Sequence, residues 1–264
     1  MIRIEDRRLP SELQSVLDGR QAKLDALQDY DARVEAAAIA WERAARDLQP
    51  VRVILLSMCS GEDRCMYCED SAAYPIDHFR PKHLHPERTF AWENFLGSCG
   101  ICNGAQWKGT RFAVLSSKSR RYVDTKRVRC APGVPPDAAS TTMLIDPRHE
   151  DPMRFMDLDL VFPFHFHPRH GRGCVARARA SYTIEVLGLN KREKLILRRA
   201  SAYVDYVMRL REYTAERDPA KRERCKTRIL RGDHVTVWRE MQRQYRKIDE
   251  LRPLFEGAPD ALAW

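Results

Sequence analysis

Two Cys-x-x-Cys pairs constrain the fold of this chain more than any other feature of its sequence. They are Cys65/Cys68 in "CMYCED" and Cys99/Cys102 in "SCGICN". Each pair can lie on a tight turn with both sulfurs facing one point, and four thiolates complete the tetrahedral shell of a structural Zn²⁺. A redox dithiol explains one pair but not two, and a site that has lost its metal stays an alternative. We therefore expect the four cysteines to bind a structural zinc ion.

The segment between the two pairs is long for a zinc-binding motif. It holds 30 residues, against the ~15–20 that usually separate such pairs, so we expect a compact subdomain to fold there. This segment contains the adjacent residues Asp77 and His78, followed by Trp92-x-Asn94. Asn103 comes directly after the second pair. Trp92 fits the core of the subdomain better than a base-stacking role.

These polar residues are of the types that phosphodiester hydrolysis requires. An imidazole titrates near neutral pH, so His78 can act as a general base toward water. The side chains of Asp77 and Asn103 offer hard oxygen ligands, which suit Mg²⁺ or Mn²⁺ better than a second zinc ion. An Asp-His pair is more often an ordinary surface feature, and Asn103 can instead cap a helix. Four basic residues nearby can hold phosphates or can simply be solvated: Lys108, Arg111, Arg80 and Lys82.

The motifs "CxYCE", "IDHFRPK" and "WxNxxxSCxxCN" together resemble the HNH endonucleases. Their form is similar to that of the HNH subunits of Septu-type antiphage systems, which also accompany some retrons. The resemblance is strong over residues 65–108. It is weaker through "LIDPRHEDP", residues 144–152, and "TIEVLGLNKRE", residues 183–193. The first 60 and the last 65 residues contribute little to it.

The resemblance implies a ββα-metal core, in which a β-hairpin and a following helix surround one catalytic divalent ion. It implies that Asp77 faces the metal, that His78 faces the attacking water, and that Asn103, at the start of the helix, is the last metal ligand. Asn94 would brace the loop. Neighbouring side chains on a regular strand face opposite ways, so Asp77 and His78 would need a bent or bulged strand.

Periodicity divides the rest of the chain. Residues 1–61 show helical spacing in three segments, and residues 62–129 hold the motifs. Residues 130–189 mix loops with short strands such as "ASYTIEVL". Residues 190–264 are helical, with breaks at Asp218-Pro219 and Gly232-Asp233. The sequence therefore predicts an α+β fold, with a zinc-bound HNH core in a mostly helical chain. The histidines of "FHFHPRH" need no metal, and we predict no site at His165, His167 and His170.

Charge and composition point to a nucleic-acid partner. The net charge is +9, and residues 105–130 and 190–250 carry net charges of +7 and +8, so the remainder is acidic. Concentrated positive charge favours a polyanion, although solvated helix faces explain part of it. We find no apolar run of the ~18–20 residues that span a membrane and no signal peptide. Eight cysteines without a secretion signal favour reduced thiols and a cytoplasmic protein.

We therefore expect a metal-dependent HNH endonuclease that contains Zn²⁺ for structure and Mg²⁺ or Mn²⁺ for catalysis, with DNA favoured as substrate. The alternatives are an HNH nuclease acting on RNA such as tRNA, and a non-catalytic zinc-ribbon module that binds nucleic acid. The chain has no "GxxxxGK[ST]" phosphate loop. The Septu-type resemblance implies that an ABC- or SMC-like ATPase subunit controls the nuclease. We expect residues 10–60 and 190–251 to form the docking surface for that partner.

Overall fold

Three helices form the N-terminal part of the chain. The computed structural model describes residues 1–44, 47–61, 63–115 and 140–264, and the backbone alone of 122–124. As the periodicity predicts, the chain forms α1 (Ser11–Asp25), α2 (Tyr30–Ala44) and α3 (Gln49–Leu56). Each buries a few apolar residues on one face, such as Leu17 and Leu24 of α1.

Three two-stranded antiparallel sheets follow in the described part of the chain, each made of strands of three residues. They pair β1 (Ile76–His78) with β2 (Phe95–Gly97), β3 (Ala113–Leu115) with β4 (Tyr122–Asp124), and β5 (Met156–Leu158) with β6 (Phe166–Pro168). In the first sheet Asp77 lies opposite Leu96, and His78 lies opposite Phe95. This register places the Asp-His pair beside β2, and the chain leads from β2 directly into the second cysteine pair.

The C-terminal half is helical: α4 (Val175–Val186), α5 (Glu193–Ala215), α6 (Pro219–Leu230), α7 (Val235–Gln244) and α8 (Arg252–Gly257). Both predicted breaks are confirmed, and the Asp218 carboxylate caps α6 by accepting from the Lys221 amide. The predicted strand "ASYTIEVL" is wrong, because it lies within and at the end of α4. Its buried residues are Ala180, Thr183 and Val186, and these spacings of three describe a helix face rather than an alternating strand.

Helices α1 and α2 hold the insert between the cysteine pairs. Gln21 Nε2 donates to the Pro86 carbonyl at 3.1 Å, and the Tyr30 hydroxyl donates to the Leu84 carbonyl at 2.9 Å. Trp92 Nε1 donates to the Arg7 carbonyl at 2.7 Å. Trp92 is buried, in agreement with its predicted place in the core.

All four predicted regions contribute side chains to one hydrophobic core, from Met1 to Ala261. The architecture thus combines helices with small sheets, as an α+β class requires, and the boundaries between the regions stay predictions. Among the helices that the structure describes, none is both long and apolar enough to cross a lipid bilayer.

Gly188 and Trp107 join the cysteine region to the C-terminal helices. Gly188 follows α4 with φ of +60°, and a Cβ at this position would lie 2.1 Å from the Trp107 ring. Only glycine leaves room for the indole and also adopts this backbone conformation without strain. The turn between α4 and α5 is therefore fitted to the loop that carries Cys99 and Cys102.

Candidate active site

The four cysteines of the two pairs converge on one point. Their Sγ atoms all lie within 4.8 Å of one another, and all four side chains are buried. The Sγ atoms of Cys68 and Cys99 are 3.8 Å apart, which is about the sulfur separation in a tetrahedral site with Zn–S bonds of ~2.3 Å. Within residues 1–44, 47–61, 63–115 and 140–264 they are the only group of three or more His, Cys, Asp or Glu placed to hold a metal. The donor set and its geometry fit Zn²⁺.

Arg192, at the start of α5, contacts this cysteine site. Its Nη1 lies 3.3 Å from Cys102 Sγ and its Nη2 3.9 Å from Cys68 Sγ. Hydrogen bonds from the neighbouring thiols, with the nearby Arg192 charge, hold the pKa of Cys68 well below its usual range. A guanidinium there offsets the negative charge of four thiolates. The sequence offered one signal for Arg192, its place in "TIEVLGLNKRE".

His78 lies in an apolar enclosure at the end of β1. Its ring centroid is 4.3 Å from that of Trp41 on α2 and 5.5 Å from that of Phe95. Nε2 is 2.9 Å from the Thr89 carbonyl oxygen, which can only accept, so Nε2 carries the proton and Nδ1 carries the lone pair. Burial and the positive charge of Lys82 lower the pKa of His78 to about 3. The imidazole is therefore neutral at pH 7 with an unprotonated Nδ1, and its pKa lies well below the near-neutral value on which the sequence analysis relied.

The Asp77 carboxylate is buried and receives two hydrogen bonds on the same oxygen. Lys108 Nζ lies 2.5 Å from Asp77 Oδ2 and 2.6 Å from the His78 carbonyl oxygen. The Tyr67 hydroxyl donates to Asp77 Oδ2 at 2.7 Å. Burial lowers the pKa of Lys108, while Asp77 opposes that shift. Burial and Asp77 raise the pKa of Tyr67, so its hydroxyl stays a donor.

Lys108 is therefore not at the surface, where a contact with a phosphate would require it to be. Its side chain is fully buried, and its ammonium group is paired with Asp77. Sequence reasoning named Lys108 but assigned it to phosphate, and it did not find Tyr67 or Thr89 at all. The tyrosine was visible only as the third letter of "CxYCE".

Asn94 fixes the loop that follows His78. Its Oδ1 accepts from the Arg80 amide at 2.8 Å, and its Nδ2 donates to the carbonyl oxygens of Arg80 and Arg88 at 3.0 and 2.9 Å. The side chain is buried. These three bonds tie Asn94 to two points of the loop between β1 and β2, so the Asn94 side chain contacts backbone rather than a metal.

The helix predicted to begin at Asn103 is absent: residues 100–110 form consecutive turns and bends, and the next α-helix that the structure describes is α4. The glycines at 100, 104 and 109 disfavour a helix here. The prediction that Asn103 starts a helix is therefore wrong, and Asn103 lies half-buried in a turn. Arg111 and Lys82 are also half-buried, and the Arg80 guanidinium lies 5.6 Å from the centre of the Phe112 ring.

A cavity of about 250 Å³ opens beside Asn94 and contains a second Asp-His pair. His149 Nδ1 lies 2.9 Å from Asp146 Oδ2, and the hydrogen bond that His149 donates to Asp146 raises the pKa of His149. Arg80 and Arg88 line the same cavity. Sequence reasoning assigned no role to this pair, although it lies in the segment "LIDPRHEDP".

Comparison with known proteins places the resemblance on one part of the chain. The chain is similar to the Septu protein PtuB of Bacillus thuringiensis, at 37% identity over 80 residues. The matched stretch covers 28% of this chain and 30% of that protein. No protein-family model and no solved structure matches the chain. The similarity supports a Septu-related relationship over that part of the chain.

Proposed function

We propose that this chain is a metal-dependent HNH endonuclease that hydrolyses phosphodiester bonds of nucleic acid, with DNA as the favoured substrate. One observation carries the proposal. A neutral histidine with its lone pair on Nδ1 adjoins a buried carboxylate, on a hairpin bracketed by four converging cysteines. The similarity to the Septu protein adds support, although it spans less than a third of either chain.

In this proposal His78 accepts a proton from the attacking water at Nδ1. The Thr89 carbonyl fixes the tautomer and stabilises the imidazolium that forms, because Nε2–H keeps donating to it. The packing of the ring against Trp41 and Phe95 fixes its orientation and excludes bulk water. Asn94 holds the loop beside it, so that Arg80 and Lys82 can approach a phosphate.

Asp77 and Asn103 are the residues that would hold Mg²⁺ or Mn²⁺. Their oxygens are of the right class, and Mg²⁺ usually takes only one or two carboxylates and completes its shell with water and substrate phosphate. The bound ion would stabilise negative charge on the phosphate and the leaving oxygen. Lys108 and Tyr67 keep the Asp77 carboxylate oriented.

A different observation favours a second candidate, a non-catalytic zinc module that binds nucleic acid. Lys108 already pairs with Asp77 Oδ2 at 2.5 Å, and Asp77 is only 3% exposed. In this arrangement an internal cation satisfies the carboxylate. Such a module would bind nucleic acid but would not cleave it with Mg²⁺ or Mn²⁺.

We further propose that the chain works in the cytoplasm as the effector of an antiphage complex controlled by an ABC- or SMC-like ATPase. On α5, which lies in the expected docking surface, Leu195, Val207 and Leu210 are buried in the core of this chain. Three apolar residues on one face of α5 are exposed: Leu197, Val204 and Met208. This exposed face supports docking through α5. Co-elution of the two proteins with and without ATP tests the complex, and separate elution under both conditions would exclude a stable one.

Cleavage assays with His78→Ala and the matched control His83→Ala test the nuclease itself. His83 lies five residues further along and is exposed. With Mg²⁺ or Mn²⁺, the partner and nucleotide present, we expect His78→Ala to cut plasmid DNA about 10²–10⁴-fold more slowly, as loss of a general base does. His83→Ala should cut at the wild-type rate. Equal rates for His78→Ala and wild type would exclude His78 as the base, and preferential cleavage of tRNA would reassign the substrate.

A further inference from the structure

Two cavities of about 580 and 400 Å³ adjoin each other along α5, on the side that faces the cysteine site. They share Asp70 and Arg198, and the two neighbouring cavities together are here called the α5 groove. One end lies between α5 and α6, and the other passes Arg192 and reaches Trp107. None of the basic residues that the sequence analysis singled out lines it.

The α5 groove is strongly basic. Eight Lys and Arg side chains line it, against four carboxylates. Lys194 and Arg231 are exposed and form no ion pair within the described part of the chain. The side chain of Arg198 is 64% exposed and lies 3.3 Å from the buried Asp70 carboxylate. At least three cationic groups thus face solvent along one path.

Ion pairs with carboxylates hold several of the arginines in place along the groove. Arg64 makes a two-pronged contact with Asp233, with Nε–Oδ1 and Nη2–Oδ2 distances both of 2.7 Å. Arg209 Nη2 pairs with Asp205 at 2.8 Å. Side chains held in this way lose less conformational freedom when they bind a ligand.

Most of the cations are arginines, whose planar donors match phosphate oxygens in pairs. The apolar lining is too small for the core of a protein–protein interface, and the aromatic rings in the lining are the Trp107 indole and the His234 imidazole. This combination fits a polyanionic strand better than an acidic protein surface.

We propose that the α5 groove binds the backbone phosphates of a nucleic-acid strand. The inference rests on the proposed function, because it assigns a second contact surface to the substrate of the nuclease. The groove would hold the flanking strand while the hairpin site acts on the scissile bond. Phosphate contacts of this kind position a strand without reading its sequence.

Binding by protein carrying His78→Ala, without added Mg²⁺ or Mn²⁺, tests the groove separately from cleavage. The test variant adds Lys194→Gln, Arg198→Gln and Arg231→Gln. The matched control adds Lys23→Gln, Arg172→Gln and Arg217→Gln, which are exposed outside the groove. Labelled 20-nucleotide DNA and RNA strands, single and paired, are the probes, and Kd is measured from 50 to 300 mM NaCl.

We expect the groove variant to bind about 10-fold or more weakly, with the slope of log Kd against log salt reduced by about 2–3. The control should keep the Kd and the slope of the His78→Ala protein. Equal Kd and slope in both variants, or no binding by the His78→Ala protein, would overturn the proposal. If the triple variant lacks zinc or helical structure, Arg231→Gln alone, at an exposed and unpaired residue, provides the same comparison with a slope change of about 1.

Competition with ATP and with inorganic phosphate distinguishes the source of the phosphoryl group. Displacement of the strand only at millimolar concentrations supports a nucleic-acid site. Displacement at micromolar ATP, lost in the groove variant, would reassign the groove to a free nucleotide. If binding depends on the groove but the wild-type protein does not cleave, the proposed nuclease is contradicted and the proposed groove is not. If the wild-type protein cleaves but binding does not depend on the groove, only the proposed groove is contradicted.

Discussion

The four-cysteine site and the Asp77–His78 pair lie in the same hairpin region, but they depend on the rest of the chain in different ways. The cysteine site takes all four donors from two short turns, and only Arg192 comes from elsewhere. The Asp-His pair depends on long-range partners: Trp41 from α2, and Lys108 beyond the second cysteine pair. Local spacing therefore specifies the first site, whereas tertiary packing specifies the second.

The largest expected effect comes from the locally specified site. Purified protein should contain one zinc ion per chain, and Cys99→Ser should lose both the zinc and the fold, because structural zinc contributes about 10–16 kcal/mol in small zinc domains. Metal analysis and circular dichroism check this. Cys174→Ser is the matched control, since Cys174 is exposed and lies outside the site. A folded, zinc-free Cys99→Ser protein with wild-type stability would show that the cysteines do not support the core.

Lys108→Met should have the next largest effect. It removes the charge while nearly keeping the length of the side chain, and so leaves the Asp77 carboxylate buried without its ion pair. Breaking a buried pair costs about 3–5 kcal/mol of unfolding free energy, measurable by urea denaturation. Lys247→Met, at an exposed lysine, should change stability by less than ~0.5 kcal/mol. Wild-type stability for Lys108→Met would contradict the buried pair, and Asp77→Asn in the same chain should recover part of the loss.

Acid should destabilise the fold through His78. The pKa of the folded imidazole is lowered to about 3, whereas the unfolded residue titrates near ~6.5. Below pH 6.5 the unfolded chain binds a proton that the folded chain does not, so stability present at higher pH is lost as the pH falls. Between pH 7.5 and 5 the loss should be about 2 kcal/mol. His78→Gln should lack this part of the pH dependence, and equal pH profiles for both proteins would refute the enclosed neutral imidazole.

Tyr67→Phe should have the smallest effect of this set. It removes one of the two hydrogen bonds to Asp77 Oδ2 and keeps Lys108 in place. A hydrogen bond to a charged group contributes about 1.5 kcal/mol at the lower end of its range. Tyr74→Phe serves as the control, because Tyr74 is 68% exposed. If both variants unfold at the same urea concentration as wild type, Lys108 alone holds the carboxylate.

The sequence was informative where chemistry depends on neighbours along the chain. The four cysteines, the three N-terminal helices and the breaks before α6 and α7 were all predicted, because caps, glycines and periodicity act locally. The helix predicted after Asn103 is absent from the described residues, since that expectation came from the resemblance rather than from residues 98–112, whose glycines disfavour a helix. The strand predicted at "ASYTIEVL" failed because the helical face of α4 packs on the core.

The partners of the candidate site could not be read from the sequence for a physical reason. Lys108 looks like any lysine in a basic segment until the fold places its ammonium beside a carboxylate 31 residues earlier. Arg192 likewise stands 90 residues from Cys102, whose sulfur it contacts. The two members of such a pair meet only in the folded chain, and no local pattern in a single sequence shows that they will be close in space.

The fit of Trp107 against Gly188 bears on how such chains can be recombined. The indole belongs to the cysteine loop and the glycine to the turn before α5, so neither segment is an independent module. A chimera that takes its C-terminal helices from a relative must bring a glycine at this turn, or else replace the indole with a smaller side chain. Exchanging the C-terminal helices would otherwise be a simple route to a new partner. Trp107 on one side of the contact and Gly188 on the other therefore constrain that exchange.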